Sequence, residues 1–113
     1  MIIVEKEISV DGLRVMAKNT FGNFVKAVVD VDREIMAVDA ELHADEEACL
    51  LEDGSKQEDI WGINLYPDLE GDDFIEFDSM INLRPAFGNM SRDVDDPKTR
   101  ERITNIVMKL VER

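Results

Sequence analysis

The sequence predicts an α+β domain, a mostly antiparallel sheet with helices packed on it, in the order β-α-β-β-α-β-β-α. Three observations lead there. Residues 24–39 and 61–84 each alternate apolar and polar side chains about a central turn signal, as hairpins do. Three other segments carry apolar residues at helical spacing behind a capping or acidic start. Hairpins separated by helices belong to α+β architectures.

Taken in order, Ile2, Ile3 and Val4 read as a short first strand. Ser9 is placed to cap a helix over 10–18, with Leu13, Met16 and Ala17 on one face. In the first hairpin Val25, Ala27, Val29 and Val31 share a face, and the turn falls at Asp32-Arg33. Val28, Met36 and Val38 make the opposite face apolar as well, which predicts cover on both sides of the sheet. Residues 44–53 read as a short acidic helix closed by Gly54, with Ala44, Ala48 and Leu51 as its buried stripe. In the second hairpin Trp61, Ile63 and Leu65 point inward and 67–73 turns the chain. A return strand is predicted over 74–84, and its length calls for a bulge or bend near Asp78-Ser79. Asp96 as N-cap and Pro97 at the first position start the last helix, whose stripe is Ile103, Ile106, Val107, Leu110 and Val111.

A chain of 113 residues predicts one domain, 1–113, large enough to bury a real core. Its 26 acidic against 13 basic residues give a net charge of -13. That balance argues against nucleic-acid binding and against docking on anionic membranes. It most simply describes a solvated surface that keeps the protein soluble. No apolar run approaches the roughly 18 residues of a spanning helix, and charge at Glu5 leaves no signal-peptide core. The single Cys49 has no disulfide partner within the chain. The expected location is the cytoplasm.

Three constellations are candidates for chemistry. The acidic segment 41–47 surrounds the only histidine, His43, so His43 with Asp45, Glu46 or Glu47 offers a nitrogen and carboxylates to a divalent metal. The simpler reading has these carboxylates complementing the helix dipole, with Glu46 turned back as in a capping box. Glu76, Asp78, Asn82 and Arg84 form a polar stripe beside Asn64 and Tyr66, either as an ordinary wet face or as paired acid/base groups. Asparagine is depleted in strands, so Asn64 and Asn82 each need a reason to be there. The loop 84–92 puts Arg84 and Arg92 around Gly88, Asn89 and Ser91, a set suited to clamping a carboxylate or phosphate. Neither guanidinium sits in a Walker or dinucleotide loop. Cys49, Ser55 and Ser79 lack the local setting of an activated nucleophile.

The segments Glu41-Leu42-His43-Ala44-Asp45-Glu46-Glu47, Trp61-Gly62-Ile63-Asn64-Leu65-Tyr66-Pro67, Ser79-Met80-Ile81-Asn82-Leu83-Arg84-Pro85 and Gly88-Asn89-Met90-Ser91-Arg92 carry a resemblance. Together with Gly54-Ser55 they make the chain similar, over nearly its whole length, to a group of small prokaryotic proteins known only as a domain of unknown function. That resemblance implies a free-standing cytoplasmic domain and no mechanism.

The leading expectation is a non-enzymatic binding or regulatory module that self-associates as a homo-oligomer, with no cofactor. Its ligand-binding candidates are Asn64, Tyr66, Asn82, Arg84, Asn89, Ser91 and Arg92. One alternative is a small metal-dependent hydrolytic enzyme using His43, Asp45, Glu46, Glu76 and Asp78. The other is an anion-binding sensor built on Arg84 and Arg92.

Overall fold

The computed structural model describes residues 1–113. Strands β1 (Ile2–Val4), β2 (Ile8–Ser9), β3 (Val25–Asp30), β4 (Ile35–Val38), β5 (Ile60–Leu65), β6 (Ile75–Glu76) and β7 (Val111–Glu112) alternate with three helices. These are α1 (Val10–Asn19), α2 (His43–Glu52) and α3 (Pro97–Leu110). Five strands form an antiparallel sheet ordered β1-β4-β3-β5-β6, while β2 and β7 pair in parallel. The α+β class and the antiparallel sheet are as expected, and the β2–β7 pair is an addition.

Local signals explain most of the boundaries. Ser9 Oγ accepts the Gly12 N–H at 3.0 Å, and Asp96 Oδ1 accepts the Lys98 N–H at 3.1 Å, so both predicted caps are real. Asp30 Oδ1 accepts the Asp32 and Arg33 N–H groups at 2.9 and 3.0 Å, closing the first hairpin with an Asx turn. At the end of α2, Gly54 has φ +109°, and the N–H groups of Ser55 and Gly54 return to the carbonyls of Leu50 and Leu51. This is a Schellman closure, and only glycine takes that backbone angle without strain.

Packing divides the sheet into two unequal faces. On one, α1 and α3 lay Leu13, Ala17, Ile103, Ile106 and Val107 over Val25, Ala27, Val29, Met36 and Val38. On the other, α2 covers Val28, Ile35, Ala37 and Ile60 with Leu50 and, at its margin, Leu51. Both faces are covered, as expected, but two assignments change. Met36 and Val38 lie opposite Val29 and Ala27 and share the larger core with them. The buried stripe of α2 is His43, Glu46 and Leu50, with Ala44 and Ala48 exposed. The first-hairpin turn then ties both layers together. Arg33 pairs with Asp53 at 2.7 Å beside α2, and Lys109 of α3 pairs with Glu34 at 2.5 Å.

The predicted return strand over 74–84 is the largest departure. Only Ile75 and Glu76 pair, with Leu65 and Asn64. The chain leaves the sheet without the expected bulge or bend at Asp78-Ser79, since Ser79 is extended (φ -159°, ψ 141°). It turns only at Met80, where Ser79 Oγ accepts the Ile81 N–H at 3.2 Å to start a 3-10 turn over Met80–Asn82. Gly62 explains how closely this turn approaches the sheet. A Cβ at that position would stand 2.5 Å from Cβ of Ser79, so the absence of a side chain lets this turn lie directly on β5.

With the strand gone, side chains satisfy the edge of β5. Asn82 Oδ1 accepts the Gly62 N–H at 2.8 Å and its Nδ2 donates to the Gly62 carbonyl at 2.9 Å. One amide thereby makes both bonds of a missing strand residue. Arg84 Nη2 donates to the Ile60 carbonyl at 2.8 Å, with the guanidinium stacked 4.3 Å over Trp61.

Asn82→Ala should therefore orphan two buried backbone groups at once and cost about 2–5 kcal/mol in urea unfolding. Gly62→Ala should cost a similar amount by driving Ser79 off the sheet. A loss under about 0.5 kcal/mol for Asn82→Ala would show that water replaces the amide.

Candidate functional site

The residues expected to bind a metal are not assembled. No three His, Cys, Asp or Glu side chains stand where one ion could be held. His43 Nε2 lies 2.7 Å from the Ile63 carbonyl, which can only accept, so this nitrogen carries the proton and Nδ1 is the ring's acceptor. Burial lowers the His43 pKa below its usual value, keeping the ring neutral. Asp45 is exposed. Glu46 turns under α2, where Oε2 accepts the Ala40 N–H at 3.1 Å and Oε1 has no partner. The predicted capping-box role is thus replaced by a brace on the residues before the helix. Burial pushes the Glu46 pKa up to about 9, so at neutral pH it is an uncharged acid. Glu76 accepts from Asn64 Nδ2 at 2.8 Å and from the Tyr66 hydroxyl at 3.1 Å, and Asp78 pairs with Arg92 Nε at 2.7 Å.

The expected ligand-binding set turns largely inward. Asn82 and Arg84 are occupied with β5, so Arg84 cannot join Arg92 in an anion clamp. Asn89 is buried and donates to the carbonyls of Asn82 and Asp93 at 2.8 and 2.7 Å, while its Oδ1 accepts the Asp95 N–H at 2.8 Å. Ser91 Oγ meets Asp95 Oδ1 at 2.5 Å, and that bond helps hold the Asp95 pKa below the usual carboxylate range. Asn64 is likewise buried. Of the original candidates, only Arg92 offers free donors at the surface, because Nε alone is engaged by Asp78 and the unpartnered Nε of Arg84 is buried.

This inversion leaves two surface features. The first is a set of exposed apolar side chains along the arm after β6, hereafter the stripe, of which Phe87 lies 5.6 Å from the Arg84 guanidinium. Met80, Leu83, Phe87 and Met90 are 61, 43, 51 and 67% exposed. Arg84 and Asn89 form an antiparallel bridge, which sets Leu83 opposite Met90 on the face turned away from both. Met80 lies three residues before Leu83 at the end of a 3-10 turn, where such positions eclipse.

The second feature is a cleft of about 210 Å³ between the start of α2 and the turn at residues 79–81. Lys26, His43 and Arg92 line it, with Leu42, Met80 and Ile81 as apolar walls. Lys26 has no carboxylate partner and stands 4.9 Å over the Phe21 ring. Sequence reasoning missed it, although a lysine inside the apolar run Val25-Lys26-Ala27-Val28-Val29 was a visible signal.

Fold and surface together define a small two-sided α+β domain with an ordered, largely non-regular arm along one sheet edge. The chain belongs to the family described as a protein of unknown function (DUF5674), matched over residues 2–110. No curated protein and no solved structure matches it. No helix is long and apolar enough to cross a membrane.

Glu46 makes stability depend on pH with a definite sign. Its folded pKa of about 9 lies above the unfolded value, so the native state binds the extra proton. Its contribution is complete below about pH 4.3 and is lost as pH rises toward 9. Glu46→Gln should therefore gain on wild type by about 4 kcal/mol between pH 5 and 8, read from urea midpoints. Parallel pH profiles for the two proteins would contradict the buried neutral acid. His43 acts oppositely, since a lowered pKa removes its contribution as pH falls below about 6.5.

Proposed function

We propose that this protein is a non-enzymatic, cytoplasmic binding module whose contact surface is the stripe of Met80, Leu83, Phe87 and Met90. One observation carries the reading. A segment that turns its amides and a guanidinium inward holds four large apolar side chains out in water. A loop needed only to join β6 to α3 gains nothing from that arrangement, whereas apolar groups exposed on an ordered support suit recognition. Two of the four are methionines, whose unbranched, polarisable side chains adapt to a partner's contours. The groups favoured for catalysis are occupied elsewhere. His43 braces Ile63, Glu76 holds Asn64 and Tyr66, and Asp78 holds Arg92.

Charge indicates the kind of partner. Residues 68–96 contain nine carboxylates and two guanidiniums, and one of the latter, Arg84, is half-buried against β5. That balance favours a protein surface presenting an apolar anchor flanked by Lys or Arg. A homodimer through the same stripe would set these carboxylates against their own copies, so we rank it second. It would strengthen with added salt, whereas binding of a basic partner would weaken.

The test uses methyl-labelled methionine and an amphipathic peptide with a Leu or Phe anchor between lysines. The Met80 and Met90 methyl signals should shift saturably while buried Met36 stays still. Leu83→Ser with Met90→Ser should weaken binding about tenfold or more, with little loss of stability because both sites are exposed. Unmoved Met80 and Met90 signals, or equal binding by the double variant, would overturn the proposal. A stable dimer by light scattering at low salt would move the second copy to first place.

A further inference from the structure

We propose that the cleft under the start of α2 is a second binding site, for a small protonated oxyanion of the phosphate class held between Lys26, His43 and Arg92. It rests on different residues from the apolar stripe, sharing only Met80 as a wall, and stands or falls separately.

The argument starts from what each lining group still has to offer. Lys26 is half-buried on the α2 face of the sheet, where an ammonium loses much of its hydration, yet no carboxylate pairs with it. Arg92 spends Nε on Asp78, and neither of its terminal nitrogens has a partner in the protein. Both cations therefore keep donors free beside one cleft, in a chain of net charge -13. The helix adds to this. Leu42 occupies the N-cap of α2 and no side chain caps it, so amide N–H groups at His43 and Ala44 remain for an outside acceptor at the positive end of the dipole. Both residues line the same cleft.

His43 narrows the chemistry. Its Nε2 proton is committed to the Ile63 carbonyl, so the ring presents Nδ1 as an acceptor. A bare anion has no hydrogen to give it. Hydrogenphosphate or a phosphate monoester retaining its proton supplies an O–H to Nδ1 and oxygens to Lys26, Arg92 and the helix amides. At neutral pH inorganic phosphate keeps at least one proton, whereas sulfate, similar in size and shape, keeps none.

The cleft also has the right scale. Its volume of about 210 Å³ corresponds to roughly seven water-sized groups at ~30 Å³ each, room for one phosphate and a short substituent against Leu42, Met80 and Ile81. Of the nearby carboxylates, Glu76 lies across the sheet from Lys26, beyond Asn64, and accepts from Asn64 and Tyr66. Asp78 is bound to Arg92 Nε and offsets that guanidinium's charge, so Arg92 contributes free N–H donors and Lys26 the uncompensated charge. Glu46 is an uncharged acid beneath the helix, and Asp45 lies on the far flank of α2 with Ala48, Cys49 and Glu52.

The experiment is an amide NMR titration of the full chain with inorganic phosphate at neutral pH and constant ionic strength, repeated with sulfate. Saturable shifts should centre on His43, Ala44, Lys26 and Arg92. Lys26→Gln and Arg92→Gln should each weaken phosphate at least about tenfold, with Lys26→Arg restoring most of it. Sulfate should bind at least about tenfold more weakly than phosphate. The Leu83→Ser, Met90→Ser double variant should bind phosphate as wild type does, so failure at the stripe and failure here are separable. Absence of saturable shifts, or affinities unchanged in both Gln variants, would overturn the site. Equal sulfate and phosphate binding would overturn the role given to His43 and the protonated class of ligand.

Discussion

The outer edge of β5 is the constraint on which the rest of this structure depends. A strand in the interior of a sheet must pair on both sides, and β5 has β3 on one side along its full length. On the other, β6 serves only Asn64 and Leu65. Below that point side chains complete the ladder, Asn82 at Gly62 and Arg84 at Ile60. Once those two are committed, the chain from Ser79 to Asp95 has few places to go. Asn82 Nδ2 also reaches the Arg92 carbonyl at 3.0 Å, and Asn89 gathers Asn82, Ser91 and Asp93. A segment with little regular structure is thereby held in place by amides, and both surface features follow. The stripe is what the arm turns outward, and the cleft is the gap left between the arm and α2.

The same economy appears beneath α2. Its face of the sheet is only partly apolar, and the helix meets it with His43 and Glu46 as well as Leu50. Burying two ionisable groups is tolerable because each is uncharged and each makes a bond to backbone, His43 to Ile63 and Glu46 to Ala40. The larger core under α1 and α3 carries no such polar load and supplies most of the apolar burial. Most of the carboxylates counted in the formal charge of -13 therefore lie on the surface, with Glu46 and Asp30 buried and Asp30 engaged through Oδ1 in its turn.

Elements with redundant local signals were legible in the sequence. Ser9, Asp96 and Pro97 mark helix starts chemically, the first hairpin combines alternation with an aspartate turn, and Gly54 ends α2 in the only easy way. The register of α2 was not legible, because alanines and acids both fit either side of a short helix and only the sheet decides which is buried. The return strand misled for a related reason. Residues 74–84 alternate well, but alternation describes faces and says nothing about what pairs with the edge. The evidence against a strand was already present as Gly62 and Asn82, both poor strand residues and both required by the substitution of an amide for a strand. Arg84 drew attention as a free cation, since sequence does not reveal that Trp61 and two carbonyls are waiting for it.

The most direct test of this account is native-state hydrogen exchange at the amide of Gly62. With Asn82 Oδ1 accepting that proton at 2.8 Å, Gly62 should exchange as slowly as its paired neighbours Ala27 and Ile63, opening only when the domain unfolds. Exchange at a rate near that of a free peptide would mean that the edge of β5 is open in solution. The arm, its apolar stripe and the cleft beside it would then have no fixed support.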